Sequence, residues 1–253
     1  MLEEPYRWVE AINNRREYLE DQLSGGSPVV GMTYADGVLL LTTTPGPRKL
    51  FEVYNEIAFA AIGHPADIEK LRKAVIDIAH IEGFNLSARD VTLQRLVSFG
   101  IGPLIKAAFD EIFRSPFLAR AMMAELDPVG GEDVFYTIDA DGSFAQSGRT
   151  AAVSGTEDSA RAMVAKLQEV GEGLELQEAL GKALEVWGLG RLVLDADEGQ
   201  VPDEAQVRDF LKGGLEGLKV EAAVLDRARA AKSKFSLLQA AELTELLATY
   251  VDA

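Results

Sequence analysis

The sequence predicts an α+β fold in which antiparallel sheets stack on one another and helix pairs cover them. Three observations lead there. Strand-like apolar runs and segments of helical period come in blocks: strands, two helices, strands, two helices, then a strand and a helix. A doubly wound sheet would instead alternate strand and helix. Asp-Gly stands twice between strand formers, at Asp36-Gly37 and Asp141-Gly142, as tight hairpins require. The chain has 253 residues, 47% hydrophobic and 26% charged, which is near the upper size of one core and ordinary for a globular protein. No Pro-, Gly- or Ser-rich linker divides it, so residues 1–253 read as a single domain.

Residues 5–23 read as a helix, with Pro5 tolerated in its first turn and Tyr6, Val9, Ile12 and Leu19 at helical spacing. Ser24-Gly25-Gly26 stops it. Pro28–Tyr34 and Val38–Thr44 form a hairpin around Asp36-Gly37, where glycine would supply a positive φ. Lys49–Val53 and Ile57–Ile62 form a second, turning at Tyr54-Asn55-Glu56. A helix spans 65–82 and stops at Gly83. A longer one spans 88–114, capped by Ser87 and bent by Gly100 and Pro103. Strands return at 118–126, 133–138 and 143–153. Thr156 caps a helix that runs to about 169, with Glu157 and Asp158 placed for its dipole. Another helix covers 173–187, and Gly188 and Gly190 read as its stop. A short helix lies near 203–212, a strand at Val220–Leu225 and a closing helix at 236–250.

Composition excludes several functions. A net charge of −16 repels phosphates and anionic lipid, against nucleic-acid or membrane-surface partners. The default reading is a solvated acidic surface. With no cysteine, there are no disulfides, thiolate metal sites or cysteine nucleophiles. "MLEEPYRWVE" is no secretory signal, and no run approaches the ~20 apolar residues of a membrane span, so the expected location is cytoplasmic. His64 and His80 lack a metal-ligand pattern and read as capping or surface imidazoles. Gly188-x-Gly190 follows a helix and lacks a third glycine, so it is no dinucleotide loop. Asp195, Asp197 and Glu198 lack the spacing of a calcium loop. No metal and no cofactor is expected.

The informative stretch is "SGGSPVVGMTYADGVLLLTTTPGPRKLFEV", residues 24–53. An N-terminal nucleophile needs a hydroxyl on the first residue, a base, and a cation oriented by a carboxylate. Ser27 supplies the hydroxyl if the chain is cut after Gly26, and Lys49 supplies the cation. Against catalysis, Pro28 stiffens the position, Leu41-Thr42-Thr43-Thr44 carries no carboxylate, and residues 1–23 look like a folded helix rather than a disposable leader. An ordinary strand-end role for Lys49 stands beside the functional one.

The chain resembles 20S proteasome subunits, most closely the α-type subunits of bacterial proteasomes. The resemblance rests on "SPVVGMTYADGVLLL…RKLFEVYNEIAFAAIGH" together with "PYRWVEAINNRREYLEDQL", "EGFNLSARDVT", "FYTIDADGS" and "VEAAVLDRARAAKSKF", in that order. It implies a four-layer αββα sandwich of the N-terminal nucleophile hydrolase fold. The nucleophile position falls on Ser27 behind the leading helix, the acidic partner on Thr43, and the lysine on Lys49. The resemblance implies a non-catalytic α-type subunit, in a seven-membered ring of like subunits, that docks on β-type rings and gates substrate entry. Lys49 would receive the C-terminal carboxylate of an activator ATPase or similar cap. Met1–Arg7, with Pro5 and Tyr6, would form the gate, and Trp8 and Tyr18 would make ring contacts. Two other readings stay open: a hydrolase activated by cleavage before Ser27, and a self-assembling homologue without a protease partner. The acidic segment 188–218 looks longer than the family's usual connection.

Overall fold

A computed structural model describes residues 5–111, 113–196, 200–213, 215, 218–239 and 242–243, with Pro5 and Tyr6 described in backbone only. The chain runs α1 (Pro5–Leu23), β1 (Val29–Tyr34), β2 (Gly37–Thr44), β3 (Leu50–Tyr54), β4 (Ile57–Gly63) and α2 (Pro65–Asn85). There follow α3 (Leu93–Arg95), a π-helical stretch (Leu96–Ile101), α4 (Gly102–Asp110), β5 (Ala119–Glu125), β6 (Val134–Ile138), β7 (Phe144–Ser147) and β8 (Thr150–Val153). The remainder is α5 (Glu157–Gln168), α6 (Leu176–Asp195), α7 (Glu204–Gly213), β9 (Lys219–Asp226) and β10 (Phe235–Leu237).

Two antiparallel sheets result, ordered β10-β9-β2-β1-β8 and β3-β4-β5-β6-β7. The apolar runs explain why they stack and are covered. Side chains alternate between the faces of a strand, so a run with no polar break must be buried on both. Along β2, Leu39 and Leu41 join Met163, Leu180, Leu184, Trp187 and Leu211 beneath α5, α6 and α7. Val38 and Leu40 point the other way, meeting Ala58, Ala60, Ile62 and Met122 between the sheets. Along β4, Phe59 and Ala61 pack under α2 and the Leu93–Asp110 helical segment with Leu71, Val75, Val97 and Ile105. The layers are therefore helices, sheet, sheet, helices, the αββα arrangement expected from the block order.

Several local expectations are corrected. Gly37 has no positive φ; it is required because a Cβ there would lie 1.9 Å from the Leu225 carbonyl oxygen on β9. Gly142 does supply the positive φ, +84, at its turn. Gly83 does not stop α2, which continues to Asn85; a Cβ at Gly83 would lie 2.3 Å from the Tyr54 hydroxyl, so its smallness admits that ring. The next helix begins at Leu93, capped by Thr92 rather than Ser87, whose hydroxyl instead bonds Asp90 at 2.6 Å. The bend expected at Gly100 and Pro103 is a π-helical widening, with Gly102 N–H bonded to Val97 O. A wider turn makes room for the proline ring against the preceding carbonyls. Residues 143–153 form two strands, not one, with β7 in one sheet and β8 in the other.

Gly188 and Gly190 are no helix stop either. α6 runs through both to Asp195. A Cβ at Gly188 would meet Leu211 at 3.1 Å, and one at Gly190 would meet Met163 Sδ at 2.3 Å, so these glycines let α7 and α5 pack close. At the end of the chain, Phe235–Leu237 pairs with β9 as a strand where the closing helix was expected to start. Most of the rest of that expected helix, from residue 240 on except 242–243, lies outside the described residues.

Candidate functional site

The site forms where four strands and two helices converge. α1 ends at Leu23, and Gly26 N–H turns back to Leu23 O at 2.8 Å, delivering Ser27 to the head of β1. β2 carries Thr43, buried, opposite Val220 of β9. The short connection Pro45-Gly46-Pro47-Arg48 returns the chain so that Lys49 precedes β3. Sequence reasoning named Ser27, Thr43 and Lys49 together, and the structure brings them together.

Ser27 Oγ donates to Thr43 O at 3.0 Å and lies 3.2 Å from Thr43 Oγ1. The indole N–H of Trp187, a fully buried residue on α6, donates to the same Oγ at 3.3 Å. The hydroxyl is thus used both as donor and as acceptor, and its proton is directed at a carbonyl rather than at a base. The amide nitrogen of Ser27 lies within the chain, joined to Gly26, so no α-amine is free there to take the proton.

Lys49 Nζ lies 3.5 Å from Ser27 O and 3.5 Å from Thr43 O, long contacts that, among the described residues, leave one of its three hydrogens for a further partner. Burial lowers its pKa to about 8, partly opposed by the negative charge of Glu221. Glu221, on β9 and only 6% exposed, does not bond Nζ. Its Oε2 accepts Lys49 N–H at 3.0 Å and its Oε1 accepts Leu50 N–H at 3.1 Å. Charge-assisted bonds of this kind are stronger than neutral ones. It ties the first residues of β3 to β9, bridging the two sheets.

Trp187 and Glu221 were missed in the sequence. Glu221 had a signal: it is the one acid inside the apolar run "VEAAVL". Trp187 falls at the end of the helix expected over 173–187 and also packs in the core.

The remaining candidates lie apart. Trp8 and Tyr18 are 52% and 48% exposed on α1, while Leu19 and Leu23 hold that helix against Phe109 and Ala140. The side chains of Pro5 and Tyr6, with residues 1–4, are outside the described residues. His64 Nδ1 accepts Ala66 N–H at 3.3 Å at the head of α2, and His80 meets Tyr54 edge to face. Among the described residues, no cluster of His, Asp or Glu suits a metal ion, and no helix is long and apolar enough to cross a membrane. Asp197 and Glu198 are outside the described residues. A cleft of about 650 Å³ between α5, α6 and α7 is lined by none of Ser27, Thr43 or Lys49.

The family model for proteasome subunits matches residues 23–186, which leaves α7 and the acidic segment beyond its match. The chain is 29% identical over 239 residues to a proteasome subunit alpha of Frankia alni, covering 94% of this chain and 92% of the relative. It is 30% identical over 238 residues to that of Actinosynnema mirum, covering 93% and 84%, and 30% identical over 239 residues to that of Acidothermus cellulolyticus, covering 93% of each. Two stacked five-stranded sheets flanked by helices agree with that likeness, and the chain belongs to the proteasome subunit family, among relatives of the α type.

Proposed function

We propose that this chain is a non-catalytic α-type subunit of a 20S-proteasome-like particle, working in the cytoplasm. Like copies form an outer ring, of seven in this reading. The ring docks on β-type rings that carry the proteolytic residues, and its N-terminal residues, Pro5 and Tyr6 among them, restrict entry. Trp8 and Tyr18, left exposed on α1, serve contacts between neighbours. The single observation that carries the reading is the Ser27 hydroxyl, committed to Thr43 and Trp187 beside an ammonium that has no acid bonded to it.

Lys49 then has a different use. A partly desolvated ammonium with unspent hydrogens suits the C-terminal carboxylate of an activator, a charge-assisted contact worth about 1.5–3 kcal/mol. The helical layer of α2 and the π-helical stretch exposes Ile81, Phe84 and Phe99, an apolar surface that a docked ring would cover.

The test is co-expression with a β-type chain, followed by particle imaging and intact mass. Stacked rings containing full-length chain support the proposal. A chain beginning at Ser27 that forms an adduct with a peptide epoxyketone replaces it with the hydrolase reading. Rings that never retain a β-type chain replace it with the self-assembling homologue. Lys49→Ala should abolish activator binding in a titration; unchanged binding removes the docking role.

A further inference from the structure

We propose that Glu221 is a positioning residue for the Lys49 ammonium: it fixes the backbone from which Lys49 projects and keeps the ammonium charged for an incoming carboxylate. This rests on the docking role proposed for Lys49. The geometry separates the two tasks. Both carboxylate oxygens are occupied by the Lys49 and Leu50 amides, at 3.0 and 3.1 Å. The negative charge therefore sits next to Lys49 without capping Nζ, whose two bonds go to the Ser27 and Thr43 carbonyls. A direct ion pair would have blocked the ammonium; a distant acid would have left it to lose its proton in a buried setting.

The other groups around Lys49 do not replace this charge. Ser27, Thr43 and Trp187 are neutral. Arg48 beside it and Lys219 on β9, opposite Thr44, are cationic and bring no negative charge. Glu52 lies on β3 three residues on, and Glu221 is the acid whose field acts on Lys49.

Glu221→Gln tests the charge while keeping an acceptor, because Oε1 alone already lies within 3.3 Å of the Lys49 N–H and 3.1 Å of the Leu50 N–H. The first readout is the pH dependence of Lys49 acylation, followed by peptide mass spectrometry. The midpoint, about 8 in the wild type, should fall by about one unit or more in Glu221→Gln. The second is binding of an N-acetylated, alanine-rich heptapeptide with a free C-terminal carboxylate, against its amide. Affinity at pH 7.5 should drop at least about threefold, as a one-unit fall leaves the ammonium mostly neutral.

Arginine keeps its charge without help, so Lys49→Arg combined with Glu221→Gln should bind the peptide as Lys49→Arg alone does. A merely structural Glu221 would give no such rescue. Coincident acylation midpoints in wild type and Glu221→Gln would overturn the inference while leaving the docking role intact. Peptide binding unchanged in Lys49→Ala would overturn the docking role while the midpoints still report on Glu221. Should Glu221→Gln not fold, Glu221→Asp draws the charge back by one methylene, and a midpoint there equal to wild type overturns the inference as well.

Discussion

If Lys49 has the docking role proposed for it, holding its charge ready should weaken the chain that carries it, and Lys49→Met measures by how much. Methionine keeps an unbranched side chain of similar length and removes the charge. In the folded chain the Lys49 pKa is about 8, against 10.5 for a free lysine, with burial the main cause. Charging this side chain in the folded state therefore costs about 3 kcal/mol relative to the unfolded state. The sign follows from proton binding. Below pH 8 both states hold the proton, and the cost is borne in full. Between 8 and 10.5 the unfolded chain holds it and the folded chain does not, so wild-type stability rises with pH. Lys49→Met should be more stable than wild type by up to about 3 kcal/mol at pH 7, and the margin should shrink as pH rises through 8 towards 10.5. Urea unfolding of both proteins from pH 6.5 to 10, at one protein concentration, reads this directly; the difference between them cancels the other titrating groups. Equal stability at pH 7, or a margin that does not change with pH, would refute the claim that the ammonium is held against its preference.

Other expectations concern the frame around the site. Asp133 is buried and takes two bonds of 2.7 Å from Arg227, so Asp133→Ala strands that guanidinium and should cost about 3–5 kcal/mol by thermal denaturation. Gly37→Ala places a methyl 1.9 Å from Leu225 O, against backbone that cannot yield, and should leave little soluble protein on expression. Ser27→Ala removes the acceptor of the buried Trp187 N–H and should cost about 1–3 kcal/mol in urea unfolding, with particle assembly unchanged. Lys166 bridges Glu169 on one side and Glu204 of α7 on the other, yet both acids are exposed and Lys166 is only half-buried, so Lys166→Ala should change the melting temperature little, by less than about 1 kcal/mol of stability.

The layered fold was legible because burial on both faces of a sheet leaves a plain mark: Val38–Leu41 and Ile57–Ile62 are unbroken by any polar residue. Helix starts were legible where a side-chain acceptor stands alone, as at Thr156, and misread where two compete, as at Ser87 and Thr92. Glycines misled most often. Gly83, Gly188 and Gly190 look like punctuation in one dimension, but each sits inside a helix where another element's side chain presses in. That neighbour is distant in the chain, so no local pattern reveals it. The same holds for the site. Ser27, Thr43 and Lys49 fall within one short stretch and were found together, whereas Trp187 and Glu221 reach it from α6 and β9.

The position of Glu221 also bears on the non-catalytic reading proposed for Ser27. Catalysis by a hydroxyl beside a lysine requires an acid that orients the lysine towards that oxygen. Here a carboxylate is present and buried within one strand of the right place, yet it faces the β3 backbone amides. The strand position that faces Ser27 bears Thr43, whose carbonyl accepts a hydrogen bond from the serine hydroxyl and whose side chain supplies no charge. Restoring an acid there, as Thr43→Glu, would not by itself restore a base, because the Ser27 nitrogen remains an amide and Trp187 still occupies a lone pair of Oγ. On that reading two independent features oppose activity, the amide nitrogen of Ser27 and the Trp187 bond to its hydroxyl. A single substitution should leave the chain inert towards a peptide epoxyketone, and an adduct on a full-length Thr43→Glu chain would show that the hydroxyl needs neither a free amine nor release from the indole.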